Sequence, residues 1–237
     1  MPSLNDAVLL ITGANGGIGR ELVSAALARG AATVYAAART PRTWDDPRVV
    51  PLHLDVTDPA SVRAAVDAAS DVTVVINNAG ANPPTASLLK IDEADIAANM
   101  EVNFFGPVRV ARAFAPVISD RPGAALVDIH SIASWYAFGG VYSASKAAMW
   151  SATNSLRLEL APRGVHVMGV HMGYVDTPMA AHASGPKLTP ADLADQVFDG
   201  LEAGCFEVLA DDLTRQVRAS LAQPVEALYP ELTAPAE

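Results

Sequence analysis

Short apolar runs recur along this chain, and most are followed by a stretch whose apolar residues return every three or four positions. The runs at 8–12, 33–37, 49–54, 73–77, 125–130, 166–171 and 206–209 read as strands. Helical spacing predicts helices over 17–29, 59–69, 92–118, 143–160, 190–203 and 211–222. Asp58, Ser61 and Thr189 stand where helix starts want a capping side chain. The connection 40–48 is too short for a full second helix. Strands alternating with helices imply a parallel sheet covered on both faces, the doubly wound three-layer α/β class. No repeat or linker interrupts the pattern, so 1–237 reads as one domain, with 233–237 a frayed tail.

Two stretches carry chemistry. The first apolar run leads into Thr12-Gly13-Ala14-Asn15-Gly16-Gly17-Ile18-Gly19 and then an amphipathic stretch: a strand, a glycine turn and a helix start. Glycines let the backbone approach a pyrophosphate, and the helix N-terminus offers it free N–H groups and a positive dipole end. Ordinary strand-to-helix turns also use glycine, so this stretch alone is weak evidence. The second is Tyr142-Ser143-Ala144-Ser145-Lys146, where a phenol and an ammonium four residues apart share a helix face. An ammonium about 4 Å from the phenolic oxygen is worth roughly 4 kcal/mol at an effective dielectric near 20. That is enough to bring a phenol from about 10 to about 7, the range of a useful general acid and base.

The order of the glycine loop, Asn77-Asn78-Ala79-Gly80 and Tyr142-x-x-x-Lys146 resembles the short-chain dehydrogenase/reductase family over most of the chain, from Ala7 to about Leu209. The resemblance implies a Rossmann-like fold and an NADP(H)-dependent oxidoreductase interconverting a ketone or aldehyde and an alcohol. It implies a catalytic set of Asn103, Ser131, Tyr142 and Lys146, with Asn103 kinking its helix and holding a water that serves the lysine. Ser134 is a lesser candidate for the role of Ser131. The nucleotide would be held by Gly13, Asn15, Gly17, Ile18, Gly19, Arg39, Asp55, Val56, Asn78, Ala79 and Gly80, with Tyr142, Lys146, Val175 and Thr177 at its nicotinamide end. Ala133, Trp135, Phe138, Tyr174 and Met179 would line the substrate pocket, with Asn82 and Tyr136 nearby. Two departures stand out. The interval from Ser131 to Tyr142 is slightly short, and Met172-Gly173 replaces the usual Pro-Gly, which predicts a looser turn.

Cofactor choice rests on the end of the second strand. An acid there serves the ribose of NAD, whereas a nearby Arg accommodates a 2′-phosphate. Here Ala38 stands in the acid's place and Arg39 is next, so NADP(H) is expected over NAD(H). Alternatives are a silent NADP(H)-sensing or scaffold protein of the same fold, or a reductase of an acyl-carrier-linked 3-oxo substrate. The first usually loses the Tyr or Lys that are present here.

Composition narrows the remaining classes. The chain has 237 residues, is 51% hydrophobic and carries a formal net charge of −10. That balance argues against nucleic acid and anionic membranes as partners. No apolar stretch approaches the roughly 20 residues of a membrane span, and no leader pattern opens the chain, so a cytoplasmic enzyme is expected. A small apolar carbonyl or alcohol is the expected partner, in a homodimer through the faces of 92–118 and 143–160, or a homotetramer. The single Cys205 excludes an internal disulfide and reads as a small buried strand residue. His166 and His182 lack partners at metal spacing and His171 reads as structural, so no metal site is expected.

Overall fold

The computed structural model describes residues 2–232. Its strands are β1 (Val8–Thr12), β2 (Thr33–Ala38), β3 (Val49–His53), β4 (Val74–Asn77), β5 (Ala125–Ile129), β6 (His166–His171) and β7 (Glu207–Leu209). They form one parallel sheet in the order β3-β2-β1-β4-β5-β6-β7. The helices are α1 (Gly17–Ala28), α2 (Pro59–Ala68), α3 (Glu93–Met100), α4 (Gly106–Ile118), α5 (Val141–Leu160), α6 (Pro190–Glu202), α7 (Asp212–Ser220) and α8 (Val225–Leu228). The doubly wound α/β fold expected from the sequence is the one observed. The predicted tail 233–237 lies outside the described residues.

Strand pleating divides the core in two. Leu9, Ile11, Val74, Ile76 and Val127 point to the face that packs with Leu22 of α1 and Phe198 and Leu201 of α6. Leu10, Val75, Leu126 and Val167 point the other way, to Val110, Phe114 and Ile118 of α4 and Leu160 of α5. This period of two, apolar on both faces, is why the strands read as continuous apolar runs.

Three helix starts are capped by side chains: Asp58 accepts from the Ala60 amide, Thr189 from Asp192 and Asp211 from Thr214. Ser61 corrects the expectation. It sits inside α2, and its hydroxyl accepts from the Asp55 amide at 2.9 Å instead of capping. Cys205 is another correction: it is exposed and lies ahead of β7 rather than on it.

The stretch 92–118 is not one uniform helix. Between α3 and α4 the chain takes a wider π turn over Glu101–Phe105. Pro107 has no amide to donate, and its ring crowds the carbonyl four residues back, that of Asn103. A wider turn relieves that conflict.

Past the edge strand β7, α7 and α8 fold back across the carboxyl ends of the strands. Tyr229, just after α8, stacks on Tyr136 at 5.0 Å, and its hydroxyl accepts from the Ala137 amide at 3.0 Å. Among the described residues no helix is long and apolar enough to cross a membrane.

Candidate active site

The strand order reverses between β1 and β4, and ligands of open α/β sheets bind outside the carboxyl edge at such a point. A cleft of about 1570 Å³ opens there, lined from Gly13 at one end to Leu228 at the other.

Its first end is backbone. Gly13 and Gly17 adopt φ of 66° and 52°, which only glycine takes without strain. A Cβ on Gly13 would lie 3.0 Å from Ala79 Cα, so the loop after β1 and the loop after β4 pass in contact. Thr12 Oγ1 binds them together, accepting from the Asn78 and Ala79 amides at 3.0 Å each. Asn78 returns the link through Nδ2, donating to the Thr12 and Gly13 carbonyls. Gly16 begins α1 without any side-chain cap, so the helix presents its unpaired amides toward the cleft. Asn15 donates to the Thr40 carbonyl at 2.6 Å, while its own Oδ1 is buried without a partner. These features fit a pyrophosphate, which wants N–H donors and a close, uncharged approach.

Gly19 does not line the cleft, contrary to expectation. It lies beneath the loop, where a Cβ would sit 2.2 Å from the Gly13 carbonyl oxygen. Its role is to let α1 pack against its own turn. Ile18, Ala38, Arg39, Asp55, Val56, Ala79 and Gly80 do line the cleft. Arg39 is exposed and makes no hydrogen bond among the described residues, and its charge helps hold the Asp55 carboxyl low. The larger cause at Asp55 is Thr57, whose hydroxyl and amide both donate to Oδ1.

The second end gathers side chains from β5, α5 and β6. Ser131 caps a short 3-10 turn, accepting from the Ala133 amide at 3.1 Å, and its hydroxyl faces the Tyr142 phenol closely enough to pull that phenol's pKa down. Tyr142 and Lys146 open α5, which starts at Gly140 because the chain there takes φ 56° hard against the Ala86 carbonyl. Ser131, Tyr142 and Lys146 all line the same cleft.

Electrostatics differ from the sequence expectation. Burial holds the Tyr142 phenol above its ordinary value near 10, and the Ser131 hydrogen bond only partly offsets this. Lys146 does not set it. Its Nζ donates to the Ile129 carbonyl at 2.9 Å and stands 5.7 Å from the centre of the Tyr142 ring. The ammonium is itself depressed to about 8 by burial, against a restoring pull from Asp128.

Asn103 sits behind the wall rather than on it. Its Oδ1 accepts from the Ala81 amide and its Nδ2 donates to the Ala81 carbonyl, both at 2.9 Å, with Asn99 and Ser145 as further partners. A Cβ on Gly80 would meet Asn103 Oδ1 at 3.4 Å and Lys146 Nζ at 3.9 Å, so the two flank that glycine. Asn99, four residues before Asn103 and donating to the same Ala81 carbonyl, escaped the sequence reading, although the Asn-x-x-x-Asn spacing was there to see.

Of the expected pocket residues, Phe138, Tyr174 and Met179 line the cleft, as do Val175, Thr177, Asn82 and Tyr136. Ala133 and Trp135 do not: both are buried behind it. The short loop after Ser131 folds Trp135 inward onto the His171 ring at 4.0 Å, and His171 stacks in turn on His130 at 4.7 Å. His171 Nδ1 meets the Ser131 carbonyl at 3.3 Å, and burial keeps the ring neutral, near 4. Ser134 is buried too, its hydroxyl without a partner, so it is not the residue beside Tyr142. The Met172-Gly173 turn is not loose, because the Asp211 carboxylate accepts from the Gly173 amide at 2.7 Å. Leu213, Gln216, Val217, Ser220, Ala227 and Leu228 complete the cleft from the chain's end, a contribution without any motif to announce it. Among the described residues no cluster could hold a metal ion.

Comparison with known proteins agrees with this geometry. The sequence profile of the short chain dehydrogenase family matches residues 7–187. A short chain dehydrogenase of Burkholderia cenocepacia J2315, solved in complex with NADP, superposes with a TM-score of 0.90 at 35% identity, covering 98% of this chain and 100% of that one. The NADPH-dependent 1-acyldihydroxyacetone phosphate reductase of Schizosaccharomyces pombe is 37% identical over 188 residues, which is 75% of this chain but 62% of that protein. The 1-deoxy-11-beta-hydroxypentalenate dehydrogenase of Streptomyces avermitilis is 33% identical over 239 residues, 90% of this chain and 88% of that one. Glycine cradle, Tyr/Ser/Lys convergence and profile point the same way: this chain belongs to the short chain dehydrogenase family of oxidoreductases.

Proposed function

We propose that the chain is an NADP(H)-dependent carbonyl reductase or alcohol dehydrogenase acting on a neutral ketone, aldehyde or secondary alcohol. The observation that carries this reading is the convergence of Tyr142 and Ser131 on one point of the cleft that also holds the glycine loop. Two hydroxyls from different elements aimed at one place suit an oxygen whose charge develops during reaction. NADPH, when bound, supplies the hydride.

The chain's own residues do the rest. In the reducing direction Tyr142 gives its proton to the substrate oxygen, and Ser131 donates a second hydrogen bond to it. Burial keeps the phenol protonated and ready to donate at neutral pH. Lys146, buried beneath, brings a positive charge near Gly80 and the phenol's ring. Asn103 positions the Ala81 backbone beside them.

For the nucleotide, Arg39 with no competing hydrogen bond suits a 2′-phosphate, and Ala38 offers the ribose no acid. NADP-bound and NADPH-dependent relatives support the same choice. By the family resemblance, a homodimer would pair through the faces of 92–118 and 143–160. NADPH consumption across a panel of neutral ketones, repeated with NADH, tests the reading. Turnover with a clear NADPH preference is expected. A flat response with tight NADPH binding would instead favour a sensor of the same fold.

A further inference from the structure

Several large apolar side chains left exposed by this fold gather in one place. Phe138 (41% exposed), Tyr174 (37%), Met179 (44%) and Leu213 (55%) all line the second end of the cleft. Ile132, Val217 and Leu228 continue the same surface. A protein keeps such a patch where a ligand covers it. The cleft's volume, about 1570 Å³, exceeds the roughly 300–1,000 Å³ of a single-ligand pocket, leaving room for a sizeable second molecule beside a nucleotide.

Apart from Lys146 beside Tyr142 and the imidazole of His182 edge-on to Tyr174, this end carries no basic or acidic side chain among the described lining residues. Among the described lining residues Arg39, Asp55 and Lys146 are the only Lys, Arg, Asp or Glu, and none belongs to the apolar patch. Neighbouring cations are engaged elsewhere. Arg215 pairs with Asp212 at 2.7 Å, and Arg218 pairs with Glu207 and lies over the Trp135 and Trp150 rings. Lys187 donates to the Ala180 carbonyl. A net charge of −10 further repels an anionic substrate.

The far wall, 211–230, is tied down at both ends. Asp211 caps α7 through Thr214 with one oxygen and holds the Gly173 amide with the other. Tyr229 is fixed to Tyr136 and Ala137. Resting on the carbonyl-reductase reading of the cleft, we propose that 211–230 is the specificity wall of this enzyme. It selects a bulky, neutral, predominantly apolar ketone or secondary alcohol and rejects phosphate-bearing ones.

The test compares kcat/KM of the full chain with NADPH for 2-decalone, cyclohexanone, dihydroxyacetone and dihydroxyacetone phosphate. The bicyclic ketone is expected to exceed the monocyclic one by about tenfold or more, and dihydroxyacetone its phosphate by a similar factor. The double variant Leu213→Ala, Leu228→Ala lowers the decalone-to-cyclohexanone ratio by about tenfold. Leu213 lies at the surface, and an unchanged Tm checks the fold. An unchanged ratio in the variant, or dihydroxyacetone phosphate as the better substrate, overturns the proposal. Thermal shift of the NADPH-loaded chain with the same ketones reads the ranking without turnover. A wall-dependent ranking in binding with no turnover sustains the wall and overturns the catalytic reading alone; no ranking in binding overturns the wall.

Discussion

The two ends of the cleft are made of different material. The glycine-loop end is backbone: positive-φ glycines, an uncapped helix start and loops close enough that a Cβ would touch the neighbouring segment. The Tyr142 end is side chains drawn from several separate segments, many of them half exposed. Backbone surfaces constrain residue identity at fixed positions, whereas a side-chain wall accepts any residue of suitable volume. One end is therefore spelled out as a motif, and the other is free to vary in sequence.

The sharpest break in that contrast is expected at Tyr142, where the ends meet. Tyr142→Phe should lower kcat by about a thousandfold or more while NADPH affinity, from fluorescence titration, stays within about threefold. Near wild-type turnover would remove the phenol from the chemistry.

The backbone character of the first end is tested by two neighbouring glycines. An alanine at 19 would place its Cβ 2.2 Å from a backbone oxygen, but at 16 it would meet nothing within 4 Å. Gly19→Ala should cost about 3 kcal/mol and most of the nucleotide affinity; Gly16→Ala should stay within about 0.5 kcal/mol in stability. Equal denaturation midpoints for the two would contradict the close packing described.

Lys146 sharpens the comparison, because the role proposed for it opposes stability. Its ammonium is held near 8 in the folded chain against an ordinary 10.5. Between those values the folded state binds fewer protons than the unfolded one, so this group's contribution to stability rises with pH across that window. Below it the buried charge costs at most about 3 kcal/mol. Lys146→Met should therefore raise Tm at neutral pH by several degrees in the nucleotide-free chain while losing turnover. The gap should narrow as pH climbs from about 8 toward 10.5. A lower Tm for the variant at neutral pH would show that the Ile129 and Asp128 contacts outweigh desolvation.

The smallest effect belongs to Arg39, a side chain at the otherwise backbone end. Arg39→Ala should reduce kcat/KM with NADPH by about tenfold and leave NADH within about twofold. Equal losses with both would assign it to the solvated surface.

Legibility in the sequence divides along the same line. Periodicity placed all seven strands to within a residue or two; for the central strands this is because both faces are buried. Glycine and Tyr/Lys spacings located the cleft. Patterning alone did not foresee that Trp135 turns inward, since an aromatic in a loop packs inside or outside according to the space its partners leave open. Here His171 and Trp150 offer the inward surface. Nor could spacing show that Lys146 reaches Ile129 instead of the phenol, because the competing acceptor is a carbonyl from another element. The contribution of 211–230 to the cleft was invisible because no motif marks those lining residues.

The π turn at Glu101–Phe105 makes chain length itself a functional variable. Deleting one residue from it would set the Pro107 ring back against the carbonyl four residues before it and rotate α3 against α4 by about 100°. Asn103 and Asn99 could no longer both face Ala81 while α4 kept its own packing. Insertions and deletions, usually absorbed by surface loops, would here strike the interior of a helix.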